Sequence, residues 1–573
     1  MKHLLGVVAA AAGLALGAAA ARTDDSLVLF NGNVHTGVPG APRAQAVLSV
    51  GGRIVFAGAS DEALRRAPDG ARAIDLRGAT VLPGLADAHA HLSGIGWREL
   101  DFDLTGVPGL AELQERLRAR AATDPADWIV GRGWIESKWS PAAFPSRQDL
   151  DAAVSSKPVV LERADGHAVV VNSLALGIAG IGKDTADPAG GEILRDAATG
   201  EPTGMLVDAA ADLVTRHVPP RSADDLRRAL LAGADRSVRL GWTQLQVAGM
   251  NWREIDELCR LYADGRVKLR VYAAIDAPGP DAEKLLAAGR RYRSCDPRLT
   301  VRAIKLYIDG ALGSRGAALL EPYSDSPESR GLLRNPPEEI LRVAKAGLAS
   351  GIQVWTHAIG DRGNRIVLDQ YEQALAAVPE RARAVPDPRP RIEHVQVIAD
   401  EDIARLARLG VIASMQPSHA ISDMLFAPAR LGPARIGRAY AWRKVLEAGA
   451  VLAGGSDAPV EQGDPRIEYY AAVARRTLEG FARPDWGLDQ RLSRDEALAA
   501  LTTGPAYAAF EERVRGTIET GKWADFSVFS MDLTQVPEGA ILQSRAMMTV
   551  IGGEVAWADP GLTPPSGSAP PRP

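Results

Sequence analysis

The chain has 573 residues, of which 46% are hydrophobic and 24% are charged, and its formal net charge is −5. This balance is ordinary for a globular enzyme, and the length is sufficient for more than one structural unit. The acidic net charge, without any long basic run, argues against a nucleic-acid partner.

The N-terminus has the pattern of a secretory signal peptide. Lys2 and His3 precede an apolar run at residues 4–20, and alanines at its end offer a cleavage site. A membrane anchor is the alternative, but the run is short for a bilayer span. We predict that residues 1–21 are removed on export to the periplasm or the medium, and that the mature chain has no membrane span. Cys259 and Cys295 could be oxidised there, but their spacing does not decide whether they pair.

Both ends of the mature chain have the pattern of β-sheet. Strand-like runs flank Gly51-Gly52 near the beginning, and a second pair flanks Gly552-Gly553 near the end, as in β-hairpins. We therefore predict a small β-sandwich domain formed from residues 22–80 and 510–558. The tail at residues 559–573 is rich in proline and is predicted to be disordered.

The region between these ends, residues 81–509, alternates short apolar runs with amphipathic stretches. Helices are predicted at residues 222–240, 338–348 and 400–409, among others. Eight βα units indicate an α/β fold of the TIM-type (β/α)8 class, whose functional groups lie at the carboxyl ends of the strands. The candidate strands span residues 80–85, 243–247, 269–275, 304–308, 353–356, 391–393, 411–415 and 451–454.

A long insertion at about residues 97–217 interrupts the βα alternation. It contains several tryptophans, including Trp128, Trp134 and Trp139. An insertion on the active-site face usually shapes a substrate pocket, which suggests an aromatic or apolar substrate group. The alternative is that these tryptophans pack the insertion's own core.

Candidate metal ligands stand at the predicted strand ends. Two histidines one residue apart on an extended segment point the same way, and imidazole and carboxylate groups suit a divalent metal. A single histidine at a strand end is more often a hydrogen-bonded core residue, but four of the nine histidines fit one ordered pattern. The candidates are His89, His91, Lys305, His357, His394 and Asp457.

Two of these candidates need separate arguments. Lys305 is flanked by apolar residues, and burial of a lysine lowers its pKa. Its neutral amine could take up CO₂ as a carbamate that bridges two metals, whereas an ion pair with Asp309 is an equal alternative. Asp457 follows a Gly-Gly bend and could bind a metal and accept a proton from water on it, the alternative being a helix N-cap.

The ordered set on a barrel flanked by a two-ended β-sandwich resembles the amidohydrolase superfamily. The finer resemblance is to its YtcJ-like branch, amidohydrolase family 3, which includes N-substituted formamide deformylase-type enzymes. It covers nearly the whole mature chain and is far more specific for the superfamily than for a substrate. The motifs that carry it are LPGLADAHAH at 82–91, IKLYIDGALGSR at 304–315, HAIGD at 357–361, RIEH at 391–394, QPSH at 416–419 and GSDAP at 455–459.

The resemblance implies a role for each candidate ligand. The His-x-His pair and Asp457 would hold the more buried metal ion, and His357 and His394 would hold a second. Carboxylated Lys305 would bridge them, and a metal-activated hydroxide would attack the substrate while Asp457 moves the proton. Two zinc ions are expected first, although manganese, iron or a single-metal site stays open.

Three further residues are predicted to lie at the substrate. His419 ends a strand and is expected to contact the substrate or the developing oxyanion, which makes it a catalytic candidate beside Asp457. His167, in the sequence RADGH of the insertion, resembles a motif of this branch, and Arg315 follows a glycine-rich loop. Both are predicted to bind substrate, with a structural role for His167 and bracing of the loop by Arg315 as alternatives.

The predicted activity is hydrolysis of a non-peptide carbon–nitrogen bond in a small molecule, such as an N-acyl, formamide or cyclic amide group. The same hydroxide could cleave an ester, carbamate or lactone. A non-catalytic exported binding protein is a third interpretation, which the intact ligand set disfavours. The sequence leaves the substrate and the oligomeric state, including a homo-oligomer, open.

Overall fold

The computed structural model describes residues 26–124, 126–136, 139–163, 168–188, 191–289 and 294–562. The predicted signal peptide at residues 1–21 lies outside the described residues, as does most of the predicted disordered tail. Strands and helices are numbered below in chain order.

The largest sheet is a parallel, eight-stranded barrel, which confirms the predicted α/β fold of TIM type. Its strands follow one another in chain order around the sheet, and every ladder between neighbours is parallel. The strands are β7 (Leu85–Ala90), β14 (Trp242–Met250), β15 (Arg270–Asp276), β16 (Leu299–Tyr307), β17 (Gln353–Ala358), β18 (Arg391–His394), β19 (Ile412–Met415) and β20 (Leu452–Gly454).

The prediction for the first barrel strand is wrong. Residues Thr80–Pro83 form β6, which pairs antiparallel with β21 (Phe526–Phe529) in a different sheet. The chain crosses into the barrel at Gly84, where a Cβ would lie 2.6 Å from the side-chain oxygen of Thr243. The barrel strand is β7, which contains His89. Its polar residues interrupt the apolar pattern, so the sequence does not predict this strand.

Backbone hydrogen bonds join the end of β7 to the loop that follows β20, beside the candidate ligands. The N–H of Asp457 donates to the carbonyl oxygen of His89 at 2.6 Å, and the N–H of His91 donates to that of Ala458 at 2.8 Å. Gly455 permits this approach, because a Cβ there would lie 2.4 Å from the backbone nitrogen of His89. The segments that carry three candidate ligands are therefore held together through their main chains.

Helices surround the barrel, as the alternating pattern predicts. For example, α7 (Ala223–Leu240) begins after the capping box of Ser222 and Asp225, is capped by Gly241 and buries one face. None of the described helices is long and apolar enough to cross a bilayer. The helices are α1 (Ser60–Arg66), α2 (Leu92–Leu100), α3 (Leu110–Thr123), α4 (Arg147–Asp151), α5 (Ser173–Ile178), α6 (Asp212–Thr215), α7 (Ala223–Leu240), α8 (Trp252–Ala263), α9 (Pro280–Ala288), α10 (Pro337–Ser350), α11 (Asp361–Ala377), α12 (Asp400–Leu409), α13 (His419–Ser422), α14 (Ala427–Leu431), α15 (Trp442–Glu447), α16 (Pro465–Ala474), α17 (Arg494–Ala500), α18 (Thr503–Ala508) and α19 (Glu538–Ile541).

The chain ends build two further sheets that pack face to face. Their shared core includes Leu29 and Val47 from one sheet and Val81 and Val528 from the other. The predicted hairpins at Gly51-Gly52 and Gly552-Gly553 are confirmed. The first sheet contains β1 (Ser26–Phe30), β3 (Ala46–Val50), β4 (Arg53–Gly58) and β5 (Arg72–Asp75), and the second contains β2 (Asn33–Val34), β6 (Thr80–Pro83), β21 (Phe526–Phe529), β22 (Ala546–Ile551) and β23 (Glu554–Ala558).

The insertion forms a six-stranded sheet of its own, which the sequence patterns do not predict. Trp134 and Trp139 are buried in its core, and their indole N–H groups donate to the carbonyls of Leu161 and Val107 at 2.9 and 2.8 Å. These two tryptophans therefore pack the insertion itself. The strands are β8 (Phe102–Asp103), β9 (Ile129–Trp134), β10 (Val159–Arg163), β11 (Ala168–Val171), β12 (Gly191–Arg195) and β13 (Pro202–Asp208).

Cys259 and Cys295 form a disulfide. It connects α8 to the segment that precedes β16. The pairing that the spacing left open is therefore present.

Candidate metal centre

The predicted histidine ligands meet at the carboxyl end of the barrel. The ring centroids of His89 and His394 are 4.8 Å apart, and those of His357 and His394 are 4.5 Å apart. The ring of His91 lies 5.5 Å from that of His89. Potential ligand atoms of His89, His394 and Asp457 all lie within 4.8 Å of one another. Side chains from four separate strand ends thus form one cluster.

Asp457 lies at the middle of this cluster. One carboxylate oxygen is 3.0 Å from Nε2 of His91 and 3.5 Å from Nε2 of His89, and the other is 3.6 Å from Nε2 of His419. Burial alone would raise the pKa of Asp457, but the hydrogen bond with His91 and the nearby imidazoles hold it well below its ordinary value. The backbone of Asp457 adopts φ 60°, a strained conformation typical of functional positions.

Lys305 is fully buried beside the histidines. Its Nζ lies 3.3 Å from Nε2 of His89, and burial lowers the pKa of this lysine to about 8. Asp309, the alternative partner, instead accepts hydrogen bonds from three backbone N–H groups of residues Ala318, Ile359 and Gly360. Lys305 is therefore positioned to interact with the histidine cluster rather than with Asp309.

The carboxylate of Glu393 orients the imidazole ring of His89. Its carboxylate lies 2.5 Å from Nδ1 of His89, and both of its oxygens accept hydrogen bonds from the guanidinium of Arg391. Burial opposes ionisation, but Arg391 and His89 lower the pKa of Glu393 to about 2. The ionised carboxylate therefore keeps the proton of His89 on Nδ1, and the lone pair of Nε2 faces the cluster and Lys305. Burial and the charge of Lys305 lower the pKa of His89 to about 4.

Sequence reasoning missed this role of Glu393. The available pattern was the alternation of Arg391 and Glu393 in a strand that is otherwise apolar. Charged residues two apart point to the same side of a strand, so a buried pair was predictable. The partner of that pair, His89, was not, because it lies 304 residues away in the chain.

Asp87 is a second positioning residue that the sequence patterns did not identify. It accepts hydrogen bonds from the backbone N–H and hydroxyl of Ser456 at 2.8 and 2.5 Å, and from the N–H of His89 at 3.1 Å. Burial raises the pKa of Asp87 to about 7. This side chain links the strand that carries His89 to the loop that carries Asp457.

His394 is held in the orientation that a ligand requires. Its Nδ1 lies 2.9 Å from the amide oxygen of Gln416, so Nδ1 is the donor and Nε2 is left free. Burial lowers the pKa of His394 well below its ordinary value, which keeps the ring neutral. Its backbone also has a positive φ of 78°.

The donor set fits a divalent metal. His89 and His394 are neutral, Asp457 is ionised, and these are the states in which imidazole and carboxylate bind metals. Within the described part of the chain, the Nε2 atoms of His357 and His419 are buried and form no hydrogen bond, although they lie 3.4 Å from a carboxylate oxygen of Asp309 and 3.6 Å from one of Asp457. The fit to a metal therefore rests on the donor types and their protonation states.

The remaining predicted residues are placed differently. His419 lies in the cluster, and its ring stacks on that of His394 with centroids 5.9 Å apart. Arg315 is half exposed and pairs with Asp325 at 2.9 Å. This ion pair corresponds to the alternative in which Arg315 braces its loop. Its substrate-binding role stays a prediction. His167 lies outside the described residues.

Comparisons with known proteins identify the family of the chain. Residues 72–556 match the amidohydrolase family, and the chain belongs to that family. It is 34% identical over 494 residues to YtcJ of Bacillus subtilis, named as an amidohydrolase, covering 84% of this chain and 90% of that protein. It is 28% identical over 553 residues to N-substituted formamide deformylase of Arthrobacter pascens, covering 93% and 99%.

Solved structures agree on the fold. A metal-dependent hydrolase of Pyrococcus furiosus superposes with a TM-score of 0.72 at 28% identity, covering 89% of this chain and all of that one. The protein is therefore a hydrolase of the amidohydrolase family, with a candidate metal site formed by histidine and aspartate.

Proposed function

We propose that this protein is a metal-dependent enzyme that hydrolyses a non-peptide carbon–nitrogen bond in a small molecule, of the N-acyl, formamide or cyclic amide type. The observation that carries the proposal is the buried cluster of His89, His394 and Asp457, whose ligand atoms lie within 4.8 Å of one another. The similarity to a protein named N-substituted formamide deformylase supports the choice of bond.

We further propose how the cluster is occupied. His89, His91 and Asp457 would hold one divalent ion, His357 and His394 a second, and carboxylated Lys305 would lie between them. Zinc is the first expectation for this nitrogen and oxygen donor set. The proximity of His394 to His89 and Asp457 supports a single-ion site as the alternative. Such an ion would lower the pKa of a bound water and polarise the substrate carbonyl.

The chain's own residues would manage the protons and the orientation. Asp457 is ionised and can accept a proton at its carboxylate and pass it to the leaving nitrogen. Glu393 fixes the ring of His89, and Asp87 fixes the loop that carries Asp457. The short distances from Asp457 to His91 and His419 leave this carboxylate within reach of both rings.

The proposal is tested by turnover of metal-loaded protein on matched substrate pairs. Each pair has the same acyl group, attached either through nitrogen as a formamide, N-acyl or cyclic amide, or through oxygen as the corresponding ester. We expect a larger acceleration over uncatalysed hydrolysis for the nitrogen member, because esters are intrinsically more reactive, and loss of this activity in Asp457→Asn. A larger acceleration for every ester would contradict the proposed bond, and activity unchanged in Asp457→Asn would contradict the proposed site.

The state of Lys305 is tested separately. With two ions and carboxylated Lys305, we expect two equivalents of metal per chain and an adduct of Lys305 that is lost on acidification. One equivalent of metal with an unmodified lysine would favour the single-ion site and leave the hydrolase proposal intact.

We also propose that the protein is exported. The Cys259–Cys295 disulfide supports this location, because disulfides persist in oxidising compartments. The N-terminal mass of the protein recovered from the periplasm or medium tests it. A mature chain that begins near residue 22 is expected, and an unprocessed chain retained in the cytoplasm would contradict export.

A further inference from the structure

His419 belongs to the cluster but is held by a network that the mechanism above does not use. Its Nε2 faces the carboxylate of Asp457 at 3.6 Å. Its Nδ1 points away from the cluster and lies 3.4 Å from the amide nitrogen of Gln396. The two nitrogens of this ring therefore face different surroundings, and the position of the proton decides what the ring can do.

The amide orientation of Gln396 is set by a carboxylate. Its Nε2 donates to Asp423 at 2.9 Å, and the hydroxyl of Tyr440 donates to the same oxygen of Asp423. A flipped Gln396 would turn its amide oxygen toward this carboxylate, so the amide nitrogen occupies the observed position. That nitrogen has two hydrogens, of which one is used by Asp423 and the second lies toward His419 and the Tyr440 oxygen.

The network is rigidly supported. The N–H of Tyr440 donates to the backbone carbonyl of Gln396 at 2.7 Å. The buried guanidinium of Arg475 donates to the carbonyl of Tyr440 at 2.9 Å and to that of Trp486 at 2.7 Å. The side chains of Gln396 and Tyr440 are therefore attached to backbone segments that are bonded to each other.

An amide N–H beside Nδ1 requires a lone pair there. If Nδ1 of His419 carried the proton, two N–H groups would face each other in a buried site. In a neutral ring the proton then lies on Nε2, which is directed toward Asp457 and the cluster. The ring would present a donor, rather than a base, to the reacting group.

We propose that Gln396, oriented by Asp423 and Tyr440, is a positioning residue that keeps the proton of neutral His419 on Nε2. His419 then donates a hydrogen bond to the substrate oxygen on which negative charge develops. The inference deepens the proposed hydrolase function and rests on it for its kinetic consequences. A donor of this kind typically contributes about 10²- to 10³-fold in kcat.

The test exchanges the two partners in the double variant Gln396→Glu/Asp423→Asn. Net charge and side-chain size are conserved, but a carboxylate now faces Nδ1 and draws the proton to it. We expect kcat to fall by about 10²- to 10³-fold with KM within a few-fold of wild type. Gln396→Met, which deletes the amide but keeps the volume, should give a smaller fall in kcat. Metal content should be unchanged in both.

His419→Gln provides the matched background. The glutamine amide places an N–H near the original Nε2 position regardless of the residues at positions 396 and 423. Adding Gln396→Glu/Asp423→Asn to His419→Gln should therefore have little further effect on kcat. Wild-type kcat in the exchanged protein, an effect confined to KM, or the same loss in the His419→Gln background would each overturn the proposal.

A second measurement does not depend on a substrate. In protein labelled with ¹⁵N-histidine, the ring signals that disappear in His419→Gln belong to His419. We expect them to show a proton on Nε2 in the wild type and on Nδ1 in the exchanged variant. A proton on Nδ1 in the wild type would overturn the inference. If no amide is hydrolysed at all, the proposed function fails while this spectrum still decides the tautomer.

Discussion

The two ends of the barrel bury different kinds of ionisable groups. At the amino end, Arg270 and Asp525 form two hydrogen bonds of 2.8 and 3.0 Å, and Asp525 also accepts the N–H of Gly552 at 2.8 Å. At the carboxyl end, in the described part of the structure, His357 and His419 each bury an Nε2 without a hydrogen-bond partner.

The difference separates groups that stabilise the fold from groups that are proposed to bind a ligand. A buried polar atom without a hydrogen bond loses the free energy of its hydration, which makes such atoms uncommon. The paired charges join the barrel to the sheet built by the chain ends. The imidazoles of His357 and His419 lie where a metal and a substrate are proposed to bind. Four substitutions, in order of decreasing expected effect, test this comparison.

Asp457→Asn should have the largest effect of the four, and the effect should be on catalysis rather than on stability. Removal of the proton acceptor should lower kcat by about 10²- to 10⁴-fold, with the free energy of unfolding little changed. Steady-state kinetics and denaturant unfolding of the same preparation measure the two quantities. A variant that retains more than a tenth of wild-type kcat would contradict the role given to this carboxylate.

Asp525→Asn should have the converse effect at the amino end. It leaves Arg270 buried without its counter-charge, so the free energy of unfolding should fall by about 3–5 kcal/mol, while kcat per folded molecule is unchanged. Asp495→Asn, at an exposed carboxylate, is the matched control and should change stability by less than about 0.5 kcal/mol. Loss of kcat in folded Asp525→Asn would break the comparison.

The pH dependence of stability should identify the same residue. Burial is outweighed by Arg270, which lowers the pKa of Asp525 below its ordinary value. A depressed pKa stabilises the fold fully above the unfolded-state pKa of about 4, and this contribution is lost as the pH falls through the folded-state value. Urea unfolding in acid should therefore show a steeper loss for the wild type than for Asp525→Asn, and equal slopes would contradict the assignment.

Glu393→Gln should have an intermediate effect on activity. The amide keeps the size but removes the charge that holds the proton of His89 on Nδ1, so metal affinity or kcat should fall by about 10- to 100-fold. Glu257→Gln, at another buried glutamate that pairs with Arg227, serves as the control. Metal titration of both variants distinguishes the two positions, and equal affinities would refute the orienting role of Glu393.

Arg315→Lys should have the smallest effect. Its partner Asp325 lies near the surface, and such pairs contribute about 0–1 kcal/mol to stability. If the arginine only braces its loop, KM should stay within a few-fold of wild type. A rise in KM of more than tenfold would instead support the substrate-binding role predicted from the sequence.

The barrel was predictable because most of its strands are continuous apolar runs at regular intervals. Seven of the eight candidates coincide with observed barrel strands, and the helix predicted at residues 400–409 is confirmed at Asp400–Leu409. The exception is β7, whose residues Asp87 and His89 are polar although buried. The preceding apolar run, Thr80–Pro83, has the pattern of a barrel strand, and nothing local shows that it pairs with β21 at the other end of the chain.

The histidines and Asp457 were predictable from their order, but their supports were not. Glu393, Asp87 and Gln396 act through hydrogen bonds to residues distant in the sequence or on other loops. No local pattern encodes such contacts. The sheet of the insertion escaped prediction because several of its strands are short and it mixes parallel with antiparallel pairs.

The central claim is tested most directly by the metal content of purified protein, measured by mass spectrometry for the wild type and for His89→Ala. We predict at least one equivalent of a divalent transition metal per wild-type chain, removable by chelator with loss of turnover and restored by the metal. His89→Ala should bind far less metal while remaining folded. A wild-type protein without bound metal, whose turnover is insensitive to chelator, would contradict the account.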